Sequence, residues 1–156
     1  MDWPSPWHVG QLVVVCICPK RVFAILVTCP LPWQVLQLVN NQTLLNIELK
    51  GADTAEPLVT LLKKAETELG TDPDKLLISS FNHHLLQQIK KHRPNLKLGA
   101  LTASLPLDYA AFASELGAWS VNCDKGFINQ ECCRRICHFR YPHKHLCRYL
   151  YCKHRW

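Results

Sequence analysis

In the stretch TLLNIELKG, residues 43–51, a carboxylate and an ammonium interrupt an otherwise aliphatic run. Read as a strand, its period-2 alternation puts Ile47 and Leu49 on one face and gathers Asn46, Glu48 and Lys50 on the other. That face is too apolar in its surroundings to be plain surface; the bland alternative is a Glu and a Lys at a strand edge, paired or turned to water. Two further groups have side chains suited to chemistry. His83 and His84 are acid/base candidates, although they fall in the first turn of an expected helix, where a solvated helix start is the simpler reading. Near the end of the chain, Cys133-x3-Cys137 and Cys147-x4-Cys152 flank nine residues that include His143 and His145. Four thiolates can hold zinc, but the spacing is loose and no glycine shapes either knuckle.

The elements that must position these groups follow a regular rhythm from residue 35 to about 131. LLNIELK (44–50) reads as a buried strand. Residues 56–69 carry Leu58, Leu61, Leu62, Ala65 and Leu69 at helical spacing, and Gly70 stops the helix. KLLISSF (75–81) is the next strand, and HHLLQQIKKH the next helix, opened by Asn82 and ended by Pro94. LKLGALT (96–102), the helix-like DYAAFASELG (108–117) and the strand AWSVN (118–122) continue the pattern. Short, nearly continuous apolar strands alternating with amphipathic helices predict an α/β fold with a parallel sheet covered by helices. Four strands in about 80 residues make half of a (β/α)8 barrel, which typically needs ~250 residues. The expected architecture is a partial TIM barrel of about four βα units. Residues 1–34 and 132–156 lack this rhythm and are expected to be irregular N- and C-terminal segments flanking a domain at 35–131.

Charge and cysteine divide the chain in the same way. Residues 1–131 hold 11 Lys/Arg against 12 Asp/Glu, whereas residues 132–156 hold 7 Lys/Arg and no acid, so the formal net charge of +6 belongs to the tail. The 9 cysteines are an odd number and leave the middle of the chain nearly bare, which does not suit a secreted disulfide framework and points to a reducing, cytoplasmic setting. The run QLVVVCIC is broken by Pro19, Lys20 and Arg21 before VFAILVTC, so no continuous span of ~20 apolar residues is expected to cross a membrane. Met1-Asp2-Trp3-Pro4 lacks the basic start of a signal peptide.

LLNIELKG, LLISSFNHHLLQQIKKHRPNLKLGALT and LGAWSVN together resemble the middle of a glycerophosphodiester phosphodiesterase, a family of (β/α)8-barrel hydrolases. The resemblance runs from about Pro32 to Glu131, and its most specific elements are the Glu-x-Lys at a strand end and the Ser-Ser-Phe one unit later. It implies that Glu48 ligates a divalent cation, magnesium or calcium, that Lys50 lies beside the substrate phosphate, and that Ser80 lines the same mouth. The chemistry agrees: hard cations take carboxylate oxygens, and a phosphodiester needs positive charge where its oxygens become more negative. The implied substrate is a small glycerophosphodiester, hydrolysed to glycerol 3-phosphate and an alcohol.

Other parts of the family pattern are missing. The chain has no Pro-Glu-Asn, no Glu-x-Asp and no His-Asp, and His8-Val9-Gly10 only echoes the His-Arg-Gly of the first strand, with Val9 in place of the arginine. His8 is thus only a weak match to the first-strand histidine, and His83 and His84 do not fall on the family's histidine motifs. One carboxylate makes a poor site for a cation that takes at least six oxygens. The expectation is a truncated hydrolase that binds its cation weakly and turns over little by itself.

The tail admits a different account. Where the family continues with a helix and a strand ending Tyr-Thr-Val-Asn, the codons of Leu150, Tyr151, Cys152 and Lys153, read one base later, permit those four residues in that order, and Cys132 and Cys133 shifted likewise give Val or Ala. A shifted reading frame would make residues 132–156 non-native. The competing class is a zinc- and nucleic-acid-binding protein acting through the basic Cys/His tail, and a third is a fragment without function, its strand edges exposed.

Overall fold

The computed structural model describes residues 12–17, 22–28, 32–109, 111–127, 129–131 and 134. Its frame is one six-stranded sheet in the order β2-β1-β3-β4-β5-β6. Strands β3 (Leu44–Leu49), β4 (Leu76–Ser80), β5 (Lys97–Thr102) and β6 (Ser120–Cys123) are parallel neighbours. Helices α2 (Ala55–Leu69), α3 (His83–His92) and α4 (Ala111–Leu116) form the crossovers between them, and α1 (Pro32–Val39) precedes β3. The four expected strands are all present, with ends within two residues of the sequence reading.

The segment expected to be irregular at the N-terminus contributes two strands instead. β1 (Leu12–Ile17) pairs antiparallel with both β2 (Val22–Thr28) and β3. The runs LVVVCI and VFAILVT are apolar at every position except Thr28, so neither alternates and neither shows a period; their β-branched residues nonetheless favour extended backbone. The strand beside β3 is therefore antiparallel, where a (β/α)8 barrel has a parallel one.

The core lies between the parallel strands and their helices. Leu45, Ile47, Leu49, Leu76, Ile78, Leu98 and Val121 meet Leu58, Leu62, Ala65, Leu85, Leu86 and Ile89 in one buried cluster. Each fully buried Leu or Ile contributes about 1.5–3 kcal/mol relative to an exposed one. Local chemistry sets the helix ends. The Asn82 side chain accepts a hydrogen bond from the His84 N–H at 3.1 Å and opens α3, whose last turn carries Lys90, Lys91 and His92 against the carboxyl-terminal dipole. Gly70 closes α2 at φ +63°, a conformation in which a Cβ would be strained. Helix α4 starts later than its apolar pattern, because residues 106–109 form a turn in which the Tyr109 N–H donates to the Pro106 carbonyl at 3.0 Å.

At the amino-terminal edge of the sheet, side chains tie the loops together. Asn41 donates to the Gly70 carbonyl and accepts from the Asp72 N–H, both at 2.8 Å, joining the turn before β3 to the turn before β4. Lys97 pairs with Asp74 at 3.0 Å, and Arg93 pairs with Glu66. Among the described residues, no helix is long and apolar enough to cross a membrane.

Candidate functional site

Because neighbouring residues of a strand point to opposite faces, the parallel sheet has a second face turned away from its helices. The register pairs Glu48 with Ser79, Ser79 with Gly99 and Gly99 with Ser120. A carboxylate, two hydroxyls and a glycine thus form one row across β3, β4, β5 and β6. Asn46 sits two residues below Glu48 on the same face, beside Leu77. Gly99 is needed by the closeness of the row: a Cβ there would stand 3.1 Å from Ser120 Oγ and 3.2 Å from Ser79 Cβ.

The row is mostly buried and incompletely bonded. Ser79 and Ser120 are buried, as is Asn46, and Ser79 Oγ, Ser120 Oγ and Asn46 Oδ1 have no hydrogen-bond partner among the described residues. Buried polar atoms are satisfied in the great majority of cases, so three orphans on one face distinguish it from the helix-covered side. Glu48 stands at the solvent end of this face. Its carboxylate lies 3.8 Å from Lys50 Nζ, with side-chain exposures of 16% and 43%. At that separation the two attract as charges without a formed hydrogen bond, which leaves the ammonium free to reach an incoming anion.

Ser80 is placed elsewhere. It lies on the helix-covered face, where its hydroxyl donates to the Leu49 carbonyl at 2.7 Å and accepts from the Asn82 N–H at 3.0 Å. Both functions of the hydroxyl are used to fasten the carboxyl ends of β3 and β4, directly below Lys50. The structure does not bring Ser80 to Glu48; the serine in the Glu48 row is Ser79. The sequence held that signal in the alternation of Ser79 and Ser80, but choosing between them required the register with β3.

The two histidines part company as well. His84 is exposed at the start of α3, as expected. His83 is half-buried: its ring stacks on Phe112 with centroids 4.9 Å apart, and Nε2 lies 2.9 Å from the Leu101 carbonyl. A carbonyl only accepts, so the proton sits on Nε2, and the ring ties α3 to β5 and α4. That contact was invisible in the sequence because it depends on tertiary neighbours.

The family resemblance implies a divalent cation, and the described residues do not fit one by themselves. Among them no group of three His, Cys, Asp or Glu side chains is placed to hold a metal ion, and Glu48 is shared with an ammonium. His8 and the Cys133, Cys137, Cys147 and Cys152 quartet with His143 and His145 lie outside the described residues.

No protein-family model matches the chain. Two curated relatives do match about half of it. A glycerophosphodiester phosphodiesterase of Caldanaerobacter subterraneus subsp. tengcongensis is 36% identical over 74 residues, 46% of this chain and 30% of that protein. One from Bacillus altitudinis is 36% identical over 78 residues, 49% of this chain and 32% of its own length. The chain thus matches the glycerophosphodiester phosphodiesterase family in part, and it spans about a third of the length of the curated relatives it matches.

Proposed function

We propose that this chain carries the phosphate-recognising part of a phosphoric diester hydrolase of the glycerophosphodiester phosphodiesterase type, built on a partial (β/α)8 barrel and acting in the cytoplasm. Its ligand is a small glycerophosphodiester, which complete members of the family would cleave with water to glycerol 3-phosphate and an alcohol. The observation that supports this reading most is the Glu48–Lys50 pair at the carboxyl end of a parallel strand, in a chain about half of which matches the two named phosphodiesterases. Barrels gather their reacting groups at that end of the strands.

In this reading the Lys50 ammonium, part exposed, lies against the phosphate oxygens and offsets their charge. Glu48 holds Lys50 in place when no anion is bound, and it is one oxygen donor for a magnesium or calcium ion. Since the described residues do not complete a cation site, no hydrolytic step is assigned to them, and the chain alone turns over little. Ser80 supports the site through the Leu49 carbonyl rather than through the ligand.

Titration calorimetry with glycerol 3-phosphate, in salt high enough to screen the basic tail, tests the reading. Weak binding that Lys50→Gln reduces by about tenfold is the expected result, since a charge-assisted contact contributes about 1.5–3 kcal/mol. Binding that is indifferent to Lys50→Gln would remove the phosphate assignment. Release of glycerol 3-phosphate from glycerophosphocholine, abolished by Glu48→Ala, would overturn the low turnover.

A further inference from the structure

Among the described residues, five large apolar side chains are exposed: Leu38, Phe81, Leu105, Leu107 and Phe127. Leu38 lies on α1. The other four lie on the loops that follow the carboxyl ends of β4, β5 and β6, at the edge of the sheet that carries Lys50. The described loops at the opposite edge, residues 40–43, 70–75, 93–96 and 117–119, expose none. Isolated exposed apolar residues are ordinary, but four on one edge and none on the other are a pattern.

The backbone holds these side chains outward. Leu107 is fully exposed at the tip of the 106–109 turn, which is closed by the Tyr109 N–H on the Pro106 carbonyl and followed by the Ala111 N–H on the Asp108 carbonyl. Turn tips are the usual place for Asn, Asp, Gly or Ser, so a leucine there meets water at a cost. Phe127 ends a second closed turn: its N–H donates to the Asp124 carbonyl at 3.0 Å, and the Asp124 side chain accepts from the Gly126 N–H at 2.8 Å. Phe81, 57% exposed, is held between Ser80 and Asn82 by the hydrogen bond that joins them.

We infer that this carboxyl edge docks on a lipid surface, with Phe81, Leu105, Leu107 and Phe127 entering the interface and Lys50 at the level of the lipid phosphates. A protein partner of ordinary size needs a continuous complementary patch of roughly 800 Å² on each side. Separate apolar tips on three fixed turns, divided by the polar Ser104, Asp108 and Asp124, suit a fluid interface that closes around each tip. The charges on these loops, Asp53, Asp108 and Asp124 against Lys50 and Lys125, make no basic cluster. Docking is therefore driven by apolar area and extends to uncharged lipid. It stands apart from the diester reading, because it needs neither Glu48 nor turnover.

The test is flotation of the full 156-residue chain with phosphatidylcholine vesicles in high salt, which suppresses attraction through the tail. The chain is expected to float with the vesicles. Leu107→Ser combined with Phe81→Ser is expected to lower partitioning by about tenfold or more, while Leu38→Ser and Glu48→Gln leave it unchanged. As a second measurement, L107W fluorescence is expected to shift to the blue when vesicles are added. A chain that stays in the aqueous phase would overturn the inference. So would an equal loss with Leu38→Ser, or a dimer in sedimentation velocity that Leu107→Ser dissociates, which would assign the edge to a second copy.

Discussion

Toward its helices the parallel sheet presents Leu45, Ile47, Leu49, Leu76, Ile78, Leu98 and Val121, and the polar Ser80 among them has its hydroxyl fully bonded. On the opposite face the same strands present Asn46, Glu48, Ser79, Gly99 and Ser120, and three of these keep an unbonded polar atom. One residue of sequence separates the two environments. The difference separates a side that holds the fold, through apolar contact and satisfied hydrogen bonds, from the side proposed to meet the ligand, whose orphaned polar atoms carry a cost the fold does not recover.

The strongest way to break this contrast is to remove mass from the helix-covered face. Ile78 is fully buried within the cluster. Ile78→Ala is expected to lower stability by about 2–5 kcal/mol, read as a shift of the urea midpoint at constant slope. A loss below about 1 kcal/mol would mean that the helices do not press on the sheet and that the two faces are alike. Next in size is Ser80→Ala, which takes the partner from both the Leu49 carbonyl and the Asn82 N–H. The expected loss is about 1–3 kcal/mol, because a buried acceptor is left without its donor. Threonine at this position keeps the hydroxyl, so Ser80→Thr should lose less than Ser80→Ala in the same denaturation experiment.

How much of this could be read from the chain alone depends on the range of the interactions concerned. The four parallel strands and the three helices between them were legible because alternation, helical spacing and the stop at Gly70 are local, and each closes within one element. The β1–β2 pair was not, because LVVVCI and VFAILVT carry no alternation and acquire meaning only when β3 is available as a partner. For the site, the joint placement of Glu48 and Lys50 followed from period 2 and is seen in the 3.8 Å contact. Ser79, Gly99 and Ser120 required the register across four strands, which no single segment encodes. The packing of His83 on Phe112 likewise joins residues 29 positions apart through the fold alone.

The sharpest comparison has the smallest effect, since it sets two adjacent serines against each other. Ser79 and Ser80 are both buried in β4, at 0% and 1% exposure, and differ only in the face they occupy. Deleting the Ser80 hydroxyl breaks two bonds, whereas deleting that of Ser79 breaks none, because its Oγ has no partner among the described residues. Ser79→Ala also removes an unpaired polar atom from a buried position, which offsets the small loss of packing contact. The expected change is within about 0.5 kcal/mol of zero, measured by denaturation beside Ser80→Ala under the same conditions. Should Ser79→Ala cost as much as its neighbour, its hydroxyl must be bonded in solution, and the row beside Glu48 would be part of the structural scaffold rather than a face kept for a ligand.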